Sequence, residues 1–321
     1  MTNISLSKRT CTLKRIISDL TSHVKLDFNW KQDGVLFLIL GVLIFCNYYF
    51  EVEGRFLSGL SNFQYLSYFL ILYPAVYYLA VVVKSGTAVF TREFVLISGV
   101  FMLALSASSG FIYYRDFVQE LPIYEQYYLR NIIANAQGAF WIFIPLLGVY
   151  FISERKHMNS FYGLSLTRHN FKPYLGLIAL MIPLLVGAIW LPGFLDTYPT
   201  MKVWQYQPVY GMTRVQMASL YEFFYISDFI RVETLFRGAL IIGVARFLGK
   251  DSIVIMATLY CVLHFNKPLG ETISSFFGGY LLGTIAYYQR NIVGGCIVHG
   301  GIAGLMELIA YLAWNSQGAL N

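Results

Sequence analysis

The stretch Asp228-Phe-Ile-Arg231-Val-Glu233-Thr-Leu-Phe-Arg237-Gly238 sets four charged side chains in a segment that otherwise reads as membrane-spanning. A charge at bilayer depth costs at least ~2.5–3.5 kcal/mol on insertion scales, so such residues are usually paired and turned to a cavity. Glu233 and Arg237 stand four apart with the acid first, the better order for an ion pair on one helix face. His264 closes the run Tyr260-Cys-Val-Leu-His264-Phe-Asn266-Lys267-Pro268. Tyr260 and His264 share a helix face, Asn266 follows, and Pro268 ends the helix. His299, Ala303 and Glu307 recur every four residues and line one stripe of a further helix.

Two neutral imidazoles and a carboxylate can deprotonate a water and hold a developing oxyanion. The same trio could bind zinc. No HExxH is present, so zinc has no motif behind it and no cofactor is expected. Cys261 and His264, and again Cys296 and His299, stand three apart and admit a thiol nucleophile. The plainer reading of these cysteines is a small apolar residue in a span. A lone membrane histidine is more often a satisfied core residue. Two of them, with a carboxylate and an arginine in neighbouring spans, favour a functional polar site. No Gly-rich loop precedes a helix, so nucleotide chemistry has no support.

These residues need helices to position them. The 321-residue chain is 57% hydrophobic and 12% charged, with mean hydropathy +0.58. Soluble domains carry about 25% charged residues, so composition indicates an integral membrane protein. Apolar runs fall at 34–50, 64–83, 94–114, 131–152 and 174–195, then near 216–248, 252–266, 271–289 and 292–314. The expected fold is all-α, a polytopic membrane helix bundle of about eight or nine transmembrane helices. The first five runs hold no Asp, Glu, Lys, Arg or His except at their edges, whereas the later ones hold all the residues above. The organisation expected is a cytoplasmic basic arm (1–33), a transmembrane scaffold (34–159) and a transmembrane core carrying the polar site (160–321). With the N-terminus cytoplasmic and nine spans, inner loops hold fifteen Lys and Arg against six outside, which satisfies the positive-inside rule. The arm reads as amphipathic or disordered, and the basic loop 153–173 as a surface for anionic lipid. Tyr pairs at 48–49, 113–114, 127–128 and 287–288 mark interfacial belts.

The net charge of +6 is spread over short loops, so no nucleic-acid partner is expected. Four separated cysteines give no disulfide framework, and no signal peptide is legible. The late glycine pairs, Gly278-Gly279, Gly294-Gly295 and Gly300-Gly301, read as close helix packing.

The order of an acidic-Arg helix, an aromatic-x-x-x-His helix and a final His helix resembles the CPBP family. These are the CAAX-protease-like and bacteriocin-processing (ABI) intramembrane proteases. The family's EExxxR, FxxxH and HxxxN or HxxxD motifs meet Val232-Glu233-Thr-Leu-Phe-Arg237, Tyr260-Cys-Val-Leu-His264 and His299-Gly-Gly-Ile-Ala303. Phe236-Arg237-Gly238, Gly279-Tyr-Leu-Leu-Gly283 and the upstream Tyr162-Gly163-Leu164 also fit, so the likeness covers about 160–312. It implies a membrane-embedded endopeptidase acting on a membrane protein or peptide in a prokaryotic plasma membrane. By the same resemblance His264 activates water, His299 holds the oxyanion, and Glu233 and Arg237 form the supporting pair. Val232 replaces the first Glu and Ala303 the Asn. Three outcomes stay open: Glu233 acts as the base, Glu307 supplies the carboxylate, or the chain is a catalytically inactive module that binds a protein or peptide. A transporter using these groups as a proton relay has no broken-helix repeat behind it.

Overall fold

In a computed structural model, residues 12–166 and 170–316 are described. The expectations for Cys11, Arg168, His169 and the first part of the arm lie outside them. The chain forms α1 (Leu13–Asp27), α2 (Trp30–Tyr49), α3 (Asn62–Ser85), α4 (Arg92–Gly110), α5 (Ile123–Ile152) and α6 (Lys172–Ala188). It continues with α7 (Arg214–Glu233), α8 (Asp251–Val262), α9 (Leu269–Gln289) and α10 (Val293–Ser316). No strand occurs among the described residues. Five helical spans are long and apolar enough to cross a membrane, and shorter apolar helices fill the bundle between them. The chain is thus a polytopic helical membrane protein, as its composition requires.

The arm contributes more than a surface tail. α1 packs its Ile16 and His23 face onto α9 and α6. Asp27, at its end, bonds Lys250 at 2.8 Å and so ties the arm to the corner before α8.

The centre of the bundle is α8, in which every residue from Ser252 to Val262 is buried. Its neighbours are α3, α9 and the segment after α7. Twelve residues rise about 18 Å, well short of the ~30 Å hydrocarbon core. The apolar run 252–266 reads as one span, yet the helix stops at Val262 and a turn carries His264. Irregular backbone within a membrane is tolerated only where protein satisfies its carbonyls. The Thr272 hydroxyl donates to the carbonyl of His264. Asn47 Nδ2 donates to that of Phe265 at 2.9 Å, and the Tyr48 hydroxyl to that of Lys267. The C-terminal end of α2 therefore clamps the turn.

A second irregularity follows α7. From Thr234 to Gly243 the chain is a π-helix, with Val244 N–H bonding Ala239 C=O five residues back. The wider coil changes which residues share a face, and such stretches recur at functional sites. Gly238 lies inside it because the Tyr162 carbonyl presses on it, and a Cβ there would meet that oxygen at 2.6 Å. Tyr162 is wholly buried at φ 45°, and Gly163 at φ 80° accepts the N–H of Ile292 before α10. The upstream segment is thus a wedge between the π-helix and α10.

Candidate functional site

The π-helix, α8 and α10 converge on one polar chain. Glu233 is fully buried and lies 3.0 Å from the Arg237 guanidinium, which is 1% exposed. Arg237 sits 4.4 Å from the centre of the Tyr260 ring, a cation–π contact. The three guanidinium nitrogens and Glu233 Oε2 make no well-aligned hydrogen bond, so Coulomb attraction rather than a directed bond joins the pair. The other carboxylate oxygen, Oε1, stands 2.8 Å from His299 Nδ1. On the far side of that ring, His299 Nε2 is 2.9 Å from the Tyr260 hydroxyl. An ion-paired carboxylate only accepts, so Nδ1 carries the proton and the phenol donates to Nε2. The relay runs Arg237, Glu233, His299, Tyr260.

His264 stands beside this relay. Its ring packs at 4.6 Å on that of Tyr260, and its Nδ1 lies 2.8 Å from the Tyr260 carbonyl. A carbonyl accepts, so Nδ1–H donates and Nε2 keeps its lone pair. Glu233 faces His299 and Arg237, not His264. Val232 turns instead to a neighbouring cavity. Val232 and Glu233 are consecutive on α7, about 100° apart round the helix, so they face different sides.

Glu307 is engaged elsewhere. Its carboxylate accepts from the Thr200 backbone N–H at 3.0–3.1 Å and from the Thr200 hydroxyl at 2.8 Å. Two turns of α10, about 12 Å of rise, separate it from His299. It anchors the loop between α6 and α7 across one end of the bundle. Cys261 directs its thiol to the Thr272 carbonyl at 3.1 Å, away from His264. Among the described residues no group of three or more His, Cys, Asp or Glu side chains is placed to hold a metal.

Sequence reading missed the seat of Glu233. A Cβ on Gly295 would meet Glu233 Oε2 at 2.2 Å. Only a glycine leaves room for the carboxylate, so what reads as general packing is a fitted contact. Gly295→Ala should displace the carboxylate from His299 and cost about 1–3 kcal/mol, as overpacking does. Thermal unfolding in detergent checks this against Gly148→Ala, where the added Cβ meets nothing within 4 Å. Equal melting temperatures for the two variants would refute the seat.

Val232 and Asn266 line a polar cavity of about 360 Å³ that reaches α3 and α4. Glu53, from the turn after α2, faces it, and burial pushes its carboxyl up to about 7 from an ordinary 4.5. A carboxyl whose pKa rises on folding holds its proton more tightly when folded. Its effect on stability is therefore smallest below pH 4.5, grows as pH climbs to 7, and is constant above that. The loss amounts to as much as about 3 kcal/mol. Glu53→Gln should remove that part of the pH dependence, read from melting temperatures at about pH 5 and about pH 8.

Residues 215–305 match the family described as Rce1-like, type II CAAX prenyl endopeptidase Rce1-like. No characterised protein and no solved structure matches the chain. The matched stretch runs from α7 into α10. It holds Glu233, Arg237, Tyr260, His264, His299 and Ala303, and leaves Glu53 and Glu307 outside. The matched stretch is similar to Rce1-like proteins, which is consistent with the motifs in their order and with a member of the CPBP family.

Proposed function

We propose that the chain is a membrane-embedded endopeptidase of the CAAX-protease-like type, with His264 as its base. The observation that carries this reading is the free Nε2 of His264, set by the Nδ1 bond to the Tyr260 carbonyl. In the reaction Nε2 takes a proton from water, and the water oxygen attacks the peptide carbonyl. The collapsing intermediate expels the amine, which receives the same proton back from His264. The family places a carboxylate beside this histidine, and Val232 cannot supply one. Glu233 acts one step removed: it orients His299, which orients the Tyr260 hydroxyl. That hydroxyl is absent from the phenylalanine of the family's motif. Its one proton is held by His299 Nε2, and it serves an oxyanion, in place of the amide lost at Ala303, only by leaving that nitrogen.

The substrate is a membrane protein or peptide, and the bilayer is the other partner. No metal enters the scheme. The loop charges support a cytoplasmic N-terminus, and the family resemblance supports a prokaryotic plasma membrane.

A second reading rests on Val232 and Ala303: a catalytically silent module that holds a peptide without cutting it. The two separate in proteoliposomes charged with apolar peptides. New peptide termini detected by mass spectrometry with the wild type, and their loss with Glu233→Gln and His264→Ala, are expected. Binding without new termini would put the silent module in its place.

A further inference from the structure

The cavity beside Val232 takes no part in this chemistry, yet a buried carboxylate oxygen facing it has nothing to bind. Glu53 Oε1 is buried and has no hydrogen-bond partner. Its backbone is fixed, since Glu53 N–H donates to Asn47 Oδ1 at 3.2 Å and Asn47 in turn holds the turn of His264. The other charged lining residue, Arg231, is already neutralised. It forms a two-pronged pair with Asp228 and donates to the Ser108 hydroxyl at 2.6 Å. Gly138 on α5 clears the space for that guanidinium, because a Cβ there would lie 2.8 Å from it. Glu53 is thus the one charge in the lining with no counter-charge.

The rest of the wall is mixed. Leu57, Leu105, Leu235 and Leu263 give apolar surface, and Ser109 and Asn266 give polar points. Such a wall fits an alkyl stem that ends in a charge, because a long basic side chain lays its methylenes on apolar surface and keeps its head on polar groups. The volume of about 360 Å³ lies in the range of small ligand pockets, ~300–1,000 Å³. Position supplies the link to the peptide. Val232 and Leu263 line the cavity, and they are the chain neighbours of Glu233 and His264. The cavity and the polar site therefore adjoin along these two segments.

We propose that the cavity is a specificity pocket for a lysine side chain of the bound peptide, with Glu53 as the counter-ion of its ammonium group. The proposal rests on the reading of the neighbouring site as peptide-binding, but not on cleavage. An ammonium entering the pocket donates a charge-assisted hydrogen bond to a carboxylate oxygen that otherwise accepts none.

The test uses the full chain in phosphatidylcholine nanodiscs and fluorescent apolar peptides. One lysine is moved along the peptide, and each member is matched by a norleucine version. The readout is the ratio of the two dissociation constants. At one lysine position the wild type should favour lysine by about tenfold, and Glu53→Gln should bring the ratio to about one. Glu53→Asp, which keeps the charge, should retain a preference and so separates lost charge from lost folding. The proposal is overturned if no peptide binds, if no position favours lysine, or if Glu53→Gln keeps the preference. It is also overturned if phosphatidylethanolamine in the nanodiscs abolishes the preference, because the headgroup amine then occupies the pocket. Lysine selectivity without cleavage would sink the peptidase alone, and cleavage without lysine selectivity would sink the pocket alone.

Discussion

His264→Ala is expected to lower turnover by about 10²–10⁴-fold, the usual contribution of a positioned general base. The reason lies in the turn after α8. His264 donates Nδ1–H to the Tyr260 carbonyl, so only Nε2 can accept a proton from water. Substrate affinity should change little, because the imidazole is only half-buried and makes one polar bond. The loss should therefore appear in kcat rather than in KM. The check is a steady-state cleavage assay in proteoliposomes. A variant with wild-type kcat would remove His264 from the mechanism.

Glu233→Leu should be the most damaging substitution for stability, by about 3–5 kcal/mol, the cost of breaking a buried ion pair from one side. Arg237 is 1% exposed and has no other acidic partner in the described structure. Without Glu233 its charge is stranded under the Tyr260 ring, and His299 Nδ1 loses its acceptor as well. The double variant Glu233→Leu with Arg237→Met should recover much of the loss, since a matched apolar pair is often as stable as the ions it replaces. Cleavage should not recover with it, because His299 would still lack its orienting carboxylate. Thermal unfolding and cleavage of the same three proteins separate the two roles. If the double variant regained cleavage, Glu233 would be structural only.

Much of this was readable from residue types and spacing, and the rest failed for physical reasons. Nine apolar runs imply a helical membrane bundle because length and composition suffice for spans. The i, i+4 placement of Glu233 and Arg237 implies their contact, and the contact is present. Which histidine Glu233 serves was not readable. Glu233 belongs to α7, and the histidine it meets depends on how α7 packs on α10, which apolar periodicity does not give. The clamp on the His264 turn was hidden for another reason. Asn47 and Phe265 lie 218 residues apart, so no local pattern links them. Gly295 reads as packing because a glycine says that something is close, not what it is. Glu307 keeps the stripe expected of it, but its partner is Thr200 on a loop no periodicity addresses. Glu53 escaped notice because a carboxylate in a short loop is ordinarily solvated, and only the folded cavity buries it.

The central claim is that water, activated at His264, cleaves the peptide directly. It can be tested in a single turnover run in heavy-oxygen water, quenched rapidly and read by intact mass spectrometry of protein and product. The account predicts one heavy oxygen in the new carboxyl terminus and an unmodified protein mass throughout. A protein mass raised by the acyl fragment, located at Cys261 or Cys296, would contradict it, and so would the absence of any product.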